Sequence, residues 1–281
     1  MSQWNSEQYL KFENQRTQPA IDLVKRITIE QPKNILDIGC GPGNSTSVLK
    51  LMFPQAYILG VDNSEDMIKK AEEAYPNINF QICDITTDLD KVDKYDVIFS
   101  NACLQWVPNH KEVIPMLFNK LNKNGILAVQ IPMNGQETLF KIMNDVVSES
   151  RWKFSSMRIE TNETLLPEEY FDILASCTDD FDIWETVYYH NMPSVKAMVE
   201  WIKGTRLRPY LNALDKVNAE KLEREITKRA TAAYDTQKNG EIIFKFKRFF
   251  FVAFNHLSHL HEAPHGSTSP FELTGSPISE A

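Results

Sequence analysis

From Asn34 onward, short apolar runs alternate with segments whose apolar residues recur at helical spacing. The runs Asn34-Ile35-Leu36-Asp37-Ile38, Tyr57-Ile58-Leu59-Gly60-Val61, Asn79-Phe80-Gln81-Ile82, Tyr95-Asp96-Val97-Ile98-Phe99 and 125–131 predict five strands. Segments 43–53, 64–74 and 110–121 predict helices between them. Apolar strands between helices, with no hairpin turns, predict a parallel sheet covered on both faces. Right-handed crossovers make such a sheet doubly wound.

Beyond residue 135 the pattern changes. A helix (135–148) leads into a polar stretch (151–167). Strands are expected at 181–189 and 241–253, around a largely helical segment at about 194–237. A strand, a helical excursion and a returning strand imply an antiparallel pair at one edge of the sheet, carrying an inserted cap. The expected architecture is α/β, with a doubly wound, mostly parallel seven-stranded sheet, an antiparallel edge strand and a helical cap. Residues 1–30 read as entry helices over a ligand site, with Tyr9, Leu10, Phe12, Ile21, Leu23 and Val24 apolar and Pro19 interrupting. The chain thus divides into 1–30, a core at 31–150, a completing segment at 151–254 and a flexible tail at 255–281.

Composition narrows the function. The 281 residues carry a formal charge of −8, with 42% hydrophobic and 24% charged residues. This is ordinary for a folded domain and argues against a basic nucleic-acid footprint. An anionic ligand must therefore be held by a local cluster against the global field. The run from Arg248 to Phe254 is too short to span a bilayer and reads as a buried central strand. Residues 1–7 lack the basic-then-apolar order of a secretory signal. The cysteines, Cys40, Cys83, Cys103 and Cys177, are too widely spaced for a paired metal pattern, so a cytoplasmic location and no metal site are expected. The tail histidines, His256, His259, His261 and His265, read as solvated.

The densest chemical signal is Asp37-Ile38-Gly39-Cys40-Gly41-Pro42-Gly43-Asn44, directly after the first strand and opening a helix. Glycines allow positive φ and close approach of backbone to a ligand. A dinucleotide loop has Gly-x-Gly-x-x-Gly, with phosphate at the helix start. Here Asn44 stands where its third glycine would be. The spacing Gly39-x-Gly41-x-Gly43, with Asp37 two residues earlier, is similar to the first motif of class I S-adenosylmethionine methyltransferases. Three more features fall in register. Asp62 ends the second strand, where a carboxylate accepts from ribose hydroxyls. Asp84 and Ile85 follow the third strand, where they suit an adenine ring. Asn101, with Gln105 and Trp106, follows the fourth strand at the carboxyl edge of the sheet.

Beyond these motifs the chain resembles the trans-aconitate 2-methyltransferase family from Trp4 to about Phe254. Trp4-Asn5, Tyr9-Leu10-Lys11-Phe12 and Arg16-Thr17-Gln18-Pro19-Ala20 carry the resemblance at the start. Asn101-Ala102-Cys103-Leu104-Gln105-Trp106, with Pro108 and His110, carries it in the core. Tyr188-Tyr189-His190-Asn191-Met192-Pro193-Ser194 and Gly204-Thr205-Arg206-Leu207-Arg208-Pro209 carry it on the substrate side. The resemblance implies methylation of a carboxylate of trans-aconitate, giving a monomethyl ester and S-adenosylhomocysteine.

A carboxylate is ionised at neutral pH, with an ordinary pKa near ~4. Methylating it needs no general base, only alignment and removal of water. No proton-transferring residue is therefore expected, and Gln105 and Trp106 are expected to align the reactants. Candidates for the cofactor are Tyr9, Arg16, Asp37, Gly39, Gly41, Gly43, Asp62, Asp84, Ile85 and Asn101. Candidates for an anionic small-molecule substrate are Tyr188, His190, Trp201, Arg206 and Arg208. The arginines can each grip a carboxylate with two hydrogen bonds. If 181–189 is a strand, Tyr188 and His190 share a face and Tyr189 takes the other. Two alternatives stay open at this point, a methyltransferase of another metabolite and a non-catalytic S-adenosylmethionine-binding module. A monomer is the expected state.

Overall fold

The computed structural model describes residues 13–89, 93–157, 159 and 164–256. The elements run α1 (Glu13–Val24), β1 (Asn34–Ile38), α2 (Asn44–Met52), β2 (Tyr57–Asp62), α3 (Glu65–Ala74), β3 (Asn79–Ile82) and β4 (Tyr95–Asn101). Then come α4 (His110–Asn119), β5 (Leu121–Pro132), α5 (Thr138–Val147), α6 (Pro167–Ala175) and β6 (Phe181–Met192). The cap is α7 (Val195–Lys203), α8 (Arg208–Asn212) and α9 (Lys216–Ala233), and β7 (Ile242–Phe254) closes the fold.

Among the described residues the strands form a seven-stranded sheet in the order β3-β2-β1-β4-β5-β7-β6. The first five are mutually parallel. β7 runs antiparallel to both β5 and β6. The antiparallel pair thus lies at one edge, as the sequence pattern implies, and the reversed strand within it is β7, one place in from the rim. The strand order reverses between β1 and β4, and ligands of open α/β sheets bind at such a point.

Alternation along the strands distributes the core. Leu36, Ile98, Leu127, Phe249 and Phe251 face α4 and α6, where Ile114, Leu117 and Tyr170 are buried. Their neighbours Ile35, Val97, Ile126, Phe250 and Val252 face α1 and α2, meeting Leu23, Val24 and Leu49. A third cluster joins α5 to the cap and to the first half of β7 through Met143, Met198, Ile226 and Phe244. The Tyr234 hydroxyl, just past α9, donates to Glu137 at the start of α5 and accepts from the Leu139 amide, pinning the cap to the core.

Two local expectations change. Pro19 sits inside α1 and does not end it. Proline costs about 3 kcal/mol in a helix interior, and burying Leu23 and Val24, at about 1.5–3 kcal/mol each, offsets this. The stretch expected to be polar contains the buried Trp152 and Phe154 on short 3₁₀ turns, and α6 follows it. Among the described residues no helix is long and apolar enough to cross a membrane.

Phe250 lies on the second face, fully buried and stacked on Trp184 at 5.0 Å. Phe250→Ala is expected to lower the unfolding free energy by about 3–5 kcal/mol in a denaturant titration. A loss under about 1 kcal/mol would mean that this face is not close-packed.

Candidate active site

β1 ends at Ile38, and the glycine loop turns over the carboxyl edge. Gly39 and Cys40 donate their amides to the Val61 carbonyl of β2, at 2.8 and 3.0 Å. Gly39 has φ +67, and a β-carbon there would collide with the Cys103 sulfur. Gly41 has φ +54, and among the described residues no atom beyond its chain neighbours lies within 4 Å of where its side chain would begin. A cradle that a side chain would fill is therefore left open above the loop.

The loop is fixed by two acids. The Asp62 carboxylate accepts from the Gly41 amide at 3.0 Å and from the Ser64 amide at 2.9 Å. Burial raises its pKa, and those bonds pull the other way. Asp37 is fully buried beneath the loop and accepts from the Ser45 and Thr46 hydroxyls, each at 2.7 Å on Oδ2. Its Oδ1 has no hydrogen-bond partner among the described residues. Burial pushes its pKa up to about 7, against the lowering effect of the two hydroxyls.

The second loop, after β4, arrives from the other side of the strand-order reversal. Ala102 takes φ +55 and donates its amide to the Gln130 carbonyl at 3.0 Å. Leu104–Trp106 form a 3₁₀ turn, and the Gln105 amide nitrogen donates to the Ala102 carbonyl at 2.6 Å. His110 braces this turn, with Nε2 at 2.7 Å from the Leu104 carbonyl and Nδ1 at 2.6 Å from the Tyr170 hydroxyl.

Between the loops lies a cavity of about 330 Å³. Gly39, Gly41, Asp62, Asp84 and Ile85 line one side, and Gln105, Trp106, Trp201, Thr205, Phe246 and Arg248 line the other. An adjoining chamber of about 140 Å³ shares Gln105, Trp106, Pro132, Thr205 and Phe246, and adds Asn134, Thr164 and Arg206. The Asp84 Oδ1 accepts from the Thr86 amide at 2.9 Å and its hydroxyl at 2.6 Å.

The structure therefore gathers eight of the proposed residues around the cavity, from Gly39 to Trp201, and Arg206 beside it. Others fall elsewhere. Asp37 turns down into α2 to hold its first turn. Gly43 caps α2 at φ +95, packed against Tyr75 and Phe80. Asn101 stays in the sheet opposite Gln130, its Oδ1 buried without a hydrogen-bond partner among the described residues. Tyr188 donates to Asp22 of α1 at 2.7 Å, because its face of β6 packs toward that helix. It does share that face with His190, at 6.3 Å between ring centres, and Tyr189 is exposed.

His190 is buried behind the wall, stacked on Trp201 at 5.1 Å, and its Nε2 has no hydrogen-bond partner among the described residues. Burial first, then the positive charge of Arg248, pulls its pKa down to about 4, so the ring is neutral at pH 7. Arg208 begins α8, two residues after Arg206, and positions two apart on a helical turn do not share a face. It lines neither chamber, and burial lowers its pKa. Tyr9 and the Arg16 side chain lie outside the described residues. Arg248, Phe246 and Thr205 are lining residues that the sequence reading missed. The available signal for Arg248 was a guanidinium directly before the apolar run Phe249-Phe250-Phe251-Val252-Ala253-Phe254.

This fold and this pair of loops define an S-adenosylmethionine-dependent methyltransferase of the Rossmann-like class. Residues 29–192 match the methyltransferase-domain family. The fold is similar to that of the YcgJ protein of Bacillus subtilis, with a TM-score of 0.54 at 14% identity over 85% of this chain and 99% of that one. It is also similar to Haemonchus contortus phosphoethanolamine N-methyltransferase 2, with a TM-score of 0.51 at 16% identity over 84% and 52%. Among curated relatives, the trans-aconitate 2-methyltransferase of Rhodopseudomonas palustris (strain BisA53) is 41% identical over 90% of this chain and 99% of its own. Those of Agrobacterium fabrum and Escherichia coli are 40% and 39% identical over 89% and 90% of this chain, and 98% of each relative. The chain belongs to the trans-aconitate 2-methyltransferase family.

Asp37 makes a prediction. An unfolded aspartate titrates near 3.8 and this one at about 7, so between those values the folded state holds a proton that the unfolded state has released. Its contribution lowers stability as pH rises through that window and then levels off. Asp37→Asn is expected to flatten this part of the curve of melting temperature against pH, measured on the free protein. An unchanged slope would show that Asp37 is ionised throughout.

Proposed function

We propose that the chain transfers the methyl group of S-adenosylmethionine to one carboxylate of trans-aconitate or a close tricarboxylate. The observation that carries this reading is the polarity of the cavity. Asp62 and Asp84 stand with the glycine loop at one end, and Arg248 and Arg206 line the other, across Gln105 and Trp106. Among the described residues no histidine, lysine, tyrosine or glutamate lines either chamber. That lining suits an acceptor which arrives already ionised, as a carboxylate does at neutral pH.

The open cradle over Gly41 and the carboxylate of Asp62 fit the cofactor, with Asp62 toward its ribose hydroxyls and Asp84 and Ile85 toward its adenine. When bound, the cofactor supplies a methyl group on a positively charged sulfur. The transfer would form an O–CH₃ bond at a carboxylate as the S–CH₃ bond breaks, leaving S-adenosylhomocysteine, and would ask no residue of the wall to move a proton. The protein's work is alignment and exclusion of water. Trp106, Trp201 and Phe246 supply apolar walls, and the arginines supply charge-assisted grips for the carboxylates. Asp37 and His110 act behind the wall, holding the two loops in place. The four cysteines form no disulfide, which suits a reducing, cytoplasmic setting.

The test is an endpoint assay for S-adenosylhomocysteine against trans-aconitate, cis-aconitate, isocitrate, citrate and a fatty acid. Turnover is expected to be greatest on trans-aconitate. Silence across the panel, with the cofactor still bound, would overturn the substrate. Arg206→Ala is expected to raise the KM for the tricarboxylate by about tenfold or more, with cofactor affinity kept. An unchanged KM would remove Arg206 from the substrate site.

A further inference from the structure

β7 returns from the cap antiparallel to β5, so its first half passes over the carboxyl edge of the parallel strands. This brings Arg248 into the cavity wall, opposite Pro132 and only 3% exposed. A guanidinium that deep needs a fixed geometry. The Arg248 Nη1 donates to the Gln130 Oε1 at 3.2 Å, and its plane lies over the Phe246 ring at 4.6 Å. Gln130 is itself fully buried, one strand over, and does not line the cavity. Its Nε2 has no hydrogen-bond partner among the described residues, a cost in stability that hydrocarbon of the same shape would avoid. The tether is neutral. A carboxylate at position 130 would form an ion pair with Arg248, and any arriving anion would then have to compete with it.

We infer that Arg248 is the specificity-determining residue that binds a second, unreacting carboxylate of the acceptor, and that Gln130 is the positioning residue that aims it. A carboxylate gripped by the guanidinium fork has its oxygen lone pairs engaged and is a poor nucleophile. The carboxylate on Arg248 is thus the handle, and another carboxylate of the same molecule meets the methyl group beside Gln105 and Trp106. The acceptor class is accordingly a di- or tricarboxylate, and a monocarboxylate of similar shape is discriminated against. This inference rests on the reading of the cavity as a carboxyl methyltransferase site.

The experiment separates the two. Tricarballylate, a saturated tricarboxylate, is titrated calorimetrically into the S-adenosylhomocysteine complex of the wild type, Gln130→Glu and Arg248→Lys. Both variants are expected to bind it at least about tenfold more weakly, because the first neutralises the guanidinium and the second loses the fork. Their affinity for S-adenosylhomocysteine is expected to stay within about twofold, which also reports that they fold. In parallel, kcat/KM is compared on trans-aconitate and on crotonate, which keeps a single carboxylate. Arg248→Lys is expected to lose on trans-aconitate and to change little on crotonate, since the two deletions remove the same contact. Equal losses on both acceptors, tricarballylate binding unaltered in both variants, or no tricarballylate binding to the wild type would each overturn the assignment. Arg248-dependent binding without turnover of trans-aconitate would instead sink the substrate reading and leave the anchor standing.

Discussion

The close approach of Gly39 to Cys103 is the contact on which the rest of the site depends. The loop after β1 and the loop after β4 leave the sheet at the point where strand order reverses, and only there can two adjacent parallel strands send their connections apart. The space between them is the cavity. A β-carbon at residue 39 would collide with the Cys103 sulfur and force the loops apart. The amide bonds from Gly39 and Cys40 to Val61, and from Gly41 to Asp62, hold one side. His110 and Tyr170 hold the other from beneath the Leu104–Trp106 turn. His110 and Tyr170 do not line the chamber, yet they share with the glycine loop the setting of its width.

Electrostatics then divides the chamber in two. Two acids, the buried Asp37 and the half-buried Asp62, lie under or beside the glycine loop, and desolvation pushes both pKa values up. A cationic cofactor arriving at this end would favour their ionised forms. The opposite end carries guanidinium groups, which the −8 charge of the chain makes a local exception. A cation and an anion can thus be drawn to adjacent positions in one cavity, and that is the arrangement methyl transfer to a carboxylate requires. The neutral His190 behind Trp201 fits this division, since a second positive charge beside Arg248 would be costly to bury.

The reversed strand β7 joins the two halves. A parallel strand in its place would carry its first residues to the far edge of the sheet. Because β7 runs antiparallel to β5, Phe246 and Arg248 come in at the ligand edge directly from the cap, and the same strand buries Phe249, Phe250 and Phe251 in two opposite cores a few residues later. The cap, the cavity wall and the sheet interior are one continuous piece of chain.

Local pattern determined a large share of this protein. The strands at 34–38 and 79–82, the order of strands and helices, the inserted cap and the glycine loop with Asp62, Asp84 and Ile85 are consequences of periodicity and spacing, which depend on neighbours in sequence. What tertiary structure decided is which way side chains turn and which distant segments meet. Asp37 stands in the same motif as Gly39 and points down to Ser45 and Thr46. Tyr188 and Arg208 stand in the segments that resemble the substrate side, and one meets Asp22 while the other does not line Arg206's chamber. Arg248 lies more than 100 residues from Gln130 in sequence, and only the pairing of β7 with β5 sets them together. A one-dimensional pattern records the period of a strand, and the direction and partner of that strand are fixed only when the sheet forms.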